Sequence, residues 1–251
     1  MIQQDAVRKF PFKELDQEGL ETLQTISAAH HFNRWMHDTV EKELREGTVL
    51  EVGSGIGNIS RMFLDAGWKT CLSDIRDSYL THLESTYAGH PSLIDILQVD
   101  LVHPDFENAY GAWLEKFDNI FALNVIEHIE NDTLAIANCK KLLRPGGRLV
   151  ILVPAHQLLY NRFDEELFHY RRYNRKSLKR LFEVNGLRIR SSFYFNLAGI
   201  FGWWFSGTLL RKKTIPQGQM KLYNQLVPLF RVSDRLTLRQ LGLSVVVAGE
   251  K

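Results

Sequence analysis

The chain has 251 residues, 45% hydrophobic and 24% charged, with a formal net charge of +2; this balance supplies enough apolar surface for a sizeable core and excludes a disordered chain. Its two cysteines, Cys71 and Cys139, stand far apart with no CxxC spacing, which argues against a disulfide framework or a zinc site and suits a reducing cytoplasm. One domain over 1–251 is expected for this length, and the leading MIQQDAVRKF lacks the apolar stretch of a secretion signal.

In chain order, residues 1–47 read as mainly helical, with Phe32, Trp35 and Met36 forming an apolar stripe. Residues 48–52 (TVLEV) predict a buried strand that runs into GSGIGN, after which Ile59, Met62 and Phe63 recur at helical spacing. A second strand over 69–73 ends at Asp74, and a third over 93–99 ends at Asp100. A fourth covers 117–123 and is followed by a helix over 132–143, which the run Arg144-Pro145-Gly146-Gly147 closes as a turn. The apolar run 148–153 is then a strand covered on both faces, and Pro154 ends it. Five such units imply a doubly wound α/β sheet.

Beyond it, Asn174 is placed to cap a helix carrying Leu178, Leu181 and Phe182, with Gly186 past its end. Strands six and seven are expected over 187–195 and 243–249. Between them, residues 196–242 are too long for a simple loop and predict an inserted cap. The chain thus divides into a helical segment (1–47), a ligand-binding core (48–195), the cap (196–242) and a last strand (243–251).

The cluster Gly53-Ser54-Gly55-Ile56-Gly57 joins a strand to a helix, where residues without Cβ let a ligand approach the backbone. Dinucleotide-binding proteins also place a glycine turn here, with an acid about 20 residues later that Asp74 would supply. Two acids bias the choice, Glu51 at the end of the first strand and Asp100 after the third, and Glu51 would repel a pyrophosphate and attract a cation. The spacing is also GxGxG, not GxGxxG.

With VLEVGSGIGNIS (49–60), CLSDI (71–75), LQVDL (97–101), FDNIFALNVIEHI (117–129) and LRPGGRLVILVPA (143–155) in order, the chain resembles the class I S-adenosylmethionine (SAM)-dependent methyltransferases. The resemblance implies a Rossmann-like sheet of seven strands, mostly parallel with the last antiparallel, and SAM as cofactor. It implies that Glu51, Gly53, Ser54 and Gly55 surround the methionine part and that Asp74 holds the ribose, with Ile75 against the adenine. Asp100 and Leu101 would meet the adenine amine and ring, and Asn124 and Val125 the sulfonium. Asn33 and Trp35 match an aromatic and polar pair that reaches SAM in relatives; the other reading of both is a helix packed on the sheet.

Candidate bases sit in two places. His128 lies in NVIEHI, which resembles the magnesium-binding ExxEH of quinone-pathway O-methyltransferases; Asn124 replaces the first acid, leaving Glu127 and His128, so no metal is expected. The second place is FDEELFHYRRY (163–173), similar to the LGHYRRY segment of a bacterial branch, with Phe168 where that segment has glycine. Here His169 is the first choice for a base, Tyr170 stands beside it, and Arg171 and Arg172 are placed to hold a carboxylate or phosphate. The competing reading is an ion-pair latch with Asp164, Glu165 and Glu166.

From Arg171 to Lys213 there are eleven basic residues against one acid, Glu183. Within that stretch FYFNLAGIFGWWFSGTLL (193–210), followed by Arg211-Lys212-Lys213, has an apolar run shorter than the ~20 residues that span a bilayer. It reads either as a buried cap helix or as a peripheral surface for membrane or a greasy acceptor. Expected is O-methylation of a small, partly apolar, anionic or lipid-linked acceptor, with N- or C-methylation the alternative. A nucleic-acid base is disfavoured because NVIEH replaces (D/N)PP(Y/F); an RNA ribose, a non-catalytic SAM-binding subunit and an NAD(P)-dependent oxidoreductase are the remaining readings.

Overall fold

A computed structural model describes residues 17–210, 212 and 217–251. MIQQDAVRKF and two members of the basic cluster, Arg211 and Lys213, lie outside the described residues.

Two helices, α1 (Gln17–Ser27) and α2 (His30–Glu41), precede the sheet. There follow β1 (Val49–Val52), α3 (Ser60–Asp65), β2 (Thr70–Asp74), α4 (Asp77–Tyr87), β3 (Leu93–Gln98), α5 (Phe106–Ala109), β4 (Phe117–Leu123), α6 (Asp132–Leu142) and β5 (Leu143–Pro154). The chain continues through α7 (Arg162–Glu166), α8 (Arg175–Val184), β6 (Arg188–Phe195), α9 (Leu197–Trp203), α10 (Gln217–Leu236) and β7 (Ser244–Glu250). Seven strands form one sheet in the order β3-β2-β1-β4-β5-β7-β6. Neighbours from β3 to β5 run parallel, while β7 is antiparallel to both β5 and β6.

Side chains alternate between two apolar layers because successive residues of a strand point to opposite faces. Leu50, Ile120, Leu149, Ile151 and Val247 pack with Ile136 and Cys139 of α6 and Phe182 of α8. On the other face, Val49, Phe121, Val150 and Val246 pack with Trp35 and Val40 of α2, Phe63 of α3 and Val227 of α10. Both cysteines are free and buried, so they serve as small apolar residues.

The expected turn at 144–147 is instead a bulge inside one long strand. Leu143 pairs with Phe117 and Arg148 with Asn119, and the intervening residues still ladder with the chain end through Gly146 N to Lys251 O (3.0 Å) and Lys251 N to Gly147 O (2.9 Å). Gly146, at φ 74°, supplies the bend. Asn174 caps α8 as read from the sequence, its Oδ1 accepting from Ser177 N at 2.9 Å.

The insertion before β7 folds as α9, a π-helical turn (Trp204–Leu209) and α10. Its two ends meet: Phe195 pairs with Ser244, Leu243 N donates to Asn196 O at 2.9 Å, and Gly242 lies so close to Phe195 that a Cβ would fall 2.3 Å from the Phe195 oxygen. Asp234 of α10 receives the amides of Asn196 (2.7 Å) and Leu197 (2.8 Å), clamping the start of α9. No described helix is long and apolar enough to cross a membrane.

Candidate functional site

The order of the strands reverses between β1 and β4, and in doubly wound sheets the crevice beyond the carboxyl ends of such strands is where ligands bind. A cavity of about 1230 Å³ opens there, roofed by the cap and by the loop after β5. One half faces β1 to β3, the other the cap.

In the first half the glycine turn is held by a side chain. Asp74 Oδ2 accepts from Gly55 N at 2.9 Å, while Oδ1 accepts from Ile75 N at 2.8 Å and Arg76 N at 3.1 Å. Burial pushes its pKa up, against the pull of those amides and of Arg76. Gly53 (φ 75°) and Gly55 (φ 55°) need the left-handed region, and a Cβ on Gly53 would meet Val125 Cγ2 at 2.4 Å. Gly53, Gly55, Asp74, Ile75, Asp100 and Leu101 line the cavity, as do Asn124 and Val125 after β4. Asn124 sits at φ 54°, a conformation that asparagine tolerates better than most side chains. This glycine cradle with carboxylates from two strand ends and apolar walls fits a nucleoside that carries positive charge.

Four expected contacts lie elsewhere. Neither Asn33 nor Trp35 lines the cavity; Asn33 Nδ2 ties α2 to Ile26 O at 2.9 Å and Trp35 packs at a tilt against Phe195 (4.4 Å), while Phe32 and Met36 of the same helix face the space. Ser54 is also withdrawn, its Oγ accepting from Ser73 N. Glu51 sits behind the turn, receiving the Ser60 hydroxyl. Burial raises its pKa to about 7 against the hydroxyls of Ser60 and Ser54.

The second half gathers side chains from β4's end and from the loop after β5. His169 Nδ1 bonds Asp164 Oδ1 at 2.8 Å, and Arg172 Nε donates to the same oxygen at 2.8 Å. Burial opposes ionisation of Asp164, yet His169 and Arg172 hold its pKa below the usual carboxylate range. A carboxylate there makes Nδ1 the protonated nitrogen and leaves Nε2 as acceptor. Nε2 is 4.0 Å from Glu127 Oε1, and the ring meets His128 edge-on at 4.6 Å.

Glu127 is fully buried, neither carboxyl oxygen has a hydrogen-bond partner, and burial raises its pKa to about 8. The His128 ring is exposed at the cavity, and the protein around it, His169 and Arg76 push its pKa down. Glu127, His128 and His169 each offer one ligand atom, all within 4.8 Å of one another, so they can also gather around a metal ion. His169 is the donor that the ExxEH comparison alone does not reveal.

The lid holds its shape by a capping box, Asn161 with Asp164, and by Phe168, which adopts φ 59° and so keeps the turn a glycine would make. Tyr170 lines the cavity and its amide donates to Glu127 O at 2.8 Å. Arg172 stacks over Trp203 at 4.7 Å beside the cavity, and its Nη1 donates to Ala155 O. Arg171 does not line the cavity; it pairs with Asp132 at 2.7 Å and with Glu130 O rather than with an acid of its own segment, and the latch pair with Asp164 is made by Arg172. Asp164 is both latch and partner of His169, a dual part that its spacing in FDEELFHYRRY does not disclose.

A family model described as "Methyltransferase domain" matches residues 26–192. The chain is similar to a highly reducing polyketide synthase of Pyrenophora dematioidea, 28% identical over 113 residues, which are 41% of this chain and 4% of that protein. It is also similar to the ubiquinone biosynthesis O-methyltransferase of Aromatoleum aromaticum, 25% identical over 142 residues, covering 55% of this chain and 58% of that one. The chain thus spans less than two thirds of either relative. Among solved structures, a SAM-dependent methyltransferase from Archaeoglobus fulgidus has a TM-score of 0.55 at 14% identity, covering 87% of this chain and 94% of that chain, a likeness of fold.

Proposed function

The chain belongs to the methyltransferase-domain family and is an enzyme that uses SAM, and from that premise we propose that it methylates a hydroxyl on a small, partly apolar acceptor, with His169 as base. We also assign it to the branch that carries the HYRRY segment. The observation that carries the reading is the Asp164–His169 pair at 2.8 Å, formed by a histidine that lines the cavity.

When bound, SAM supplies a methyl group on a positively charged sulfur, already activated for in-line displacement. An amine acceptor needs no more than alignment, but a weakly acidic hydroxyl needs a base within reach. His169 Nε2 takes that proton, and Asp164 stabilises the imidazolium that results. Glu127, with its pKa raised to about 8 by burial, keeps its own proton at neutral pH and so sets no second negative charge beside Asp164. The Tyr160 hydroxyl donates to His169 O at 2.8 Å and steadies the loop. Phe163, Leu167 and Trp203 line the same space with apolar surface, which keeps water from the reacting groups.

The test is release of demethylated SAM with a panel of phenols and matched anilines. The reading expects turnover on the hydroxyls that survives dialysis against a chelator. Turnover on the anilines alone, or loss of activity with the metal removed, would sink it.

A further inference from the structure

The helices of the cap present apolar side chains both to the cavity and to the outside. Gly202, Trp203 and Ser206 of α9 and its π turn, with Met220 and Tyr223 of α10, face the cavity. On the outside, Phe201, Trp204 and Phe205 are exposed. Along α10, Leu222, Leu226, Leu229 and Leu236 are exposed at spacings of four, three and seven residues, one side of a helix. Soluble surfaces seldom leave such a stripe without a partner.

Charge selects the partner. Between Leu197 and Gly242 the sequence carries seven Lys and Arg residues, of which Arg231 pairs with Asp38 of α2 at 2.9 Å, and a single acid, Asp234. That acid is buried on the amides of Asn196 and Leu197, so it offers nothing to the outer surface. Lys221 and Arg235 of α10 are exposed and carry no ion pair among the described residues. A second copy meeting this face by two-fold symmetry would set the same uncompensated positive charge against itself. An anionic bilayer surface meets both properties at once: apolar side chains enter the interface while basic ones stay at the headgroups.

We propose that the outer face of the cap docks on an anionic lipid surface, from which an amphiphilic acceptor enters the cavity beneath. The contact is peripheral, since no described helix can cross a membrane. It deepens the acceptor reading above and rests on it only for the second clause, because docking and methyl transfer are read separately.

The experiment is co-sedimentation of the full chain with vesicles of phosphatidylcholine alone or mixed with phosphatidylglycerol, beside a SAM titration of each variant. The chain should bind the mixed vesicles more tightly and be released by salt. Lys221→Gln and Arg235→Gln should each weaken binding roughly fivefold, Trp204→Ser should weaken it on both vesicle types, and all three should bind SAM as the parent does. Equal binding to both vesicle types, no binding to either, or a dimer dissolved by the same substitutions would overturn docking. Docking without turnover on any hydroxyl would leave this surface standing and remove the acceptor reading.

Discussion

In the half of the cavity nearest β1 to β3, backbone amides converge on one carboxylate, Asp74, and the groups involved lie within a few residues of glycine turns or strand ends. In the half beneath the cap, His169 and Arg172 bond Asp164 while Glu127 and His128 lie against His169, brought together from a β4 loop and the loop after β5, far apart in the chain. The first arrangement positions a ligand and changes little in doing so. The second keeps a buried acid protonated, a histidine neutral and a carboxylate ionised side by side, which is how proton-transfer chemistry is set up.

If the halves are separable, His169→Ala shows the largest effect: turnover should drop by about 10²–10⁴ while SAM affinity, read by calorimetry, stays within about twofold. Equal losses in both would erase the contrast. Glu127→Gln tests the electrostatics. The folded pKa of about 8 lies above the ordinary carboxyl value of 4.5, so the folded chain keeps a proton that the unfolded chain releases, and stability falls as pH rises across that window. The variant should flatten that fall by roughly 3 kcal/mol between pH 5 and 8 in urea unfolding; identical slopes would mean that Glu127 ionises normally.

Asp74→Ala sharpens the other side, weakening SAM binding by about 1–3 kcal/mol through the lost charged acceptor and the released turn. Turnover at saturating SAM should remain near that of the parent. The smallest effect belongs to Arg171→Ala: its partly exposed pair with Asp132 is worth about 0–1 kcal/mol, and the acceptor KM should not move. A raised KM would return Arg171 to the substrate.

The same contrast explains what the sequence discloses. β1 to β4 and the glycine turn are local patterns of apolar runs ended by acids, and the strand limits read from them match the structure within a residue or two. Asn33 and Trp35 match a pair that reaches the cofactor in relatives, yet here they follow the other reading, a helix packed on the sheet, and their neighbours Phe32 and Met36 line the cavity. Glu51 ends its strand as expected, but the Ser60 hydroxyl holds it a layer back. Arg144-Pro145-Gly146-Gly147 reads as a turn until the distant Lys251 supplies ladder partners. His169 and Asp164 were each visible, whereas their union with Glu127 and His128 depends on how the lid folds onto β4.

The cap leaves the sheet at Asn196 and returns at Leu243, where one backbone bond joins the two ends. In outline it is a β6–β7 hairpin whose connecting loop has grown into helices. Loop entropy rises only with the logarithm of length, so such a connection can be lengthened, shortened or exchanged with little cost to the pairing below it. The acceptor range of this scaffold can therefore diversify by replacing a cassette at one hinge, and a chimera that grafts a relative's hairpin loop between Phe195 and Ser244 should fold, keep its cofactor and inherit the donor's choice of acceptor.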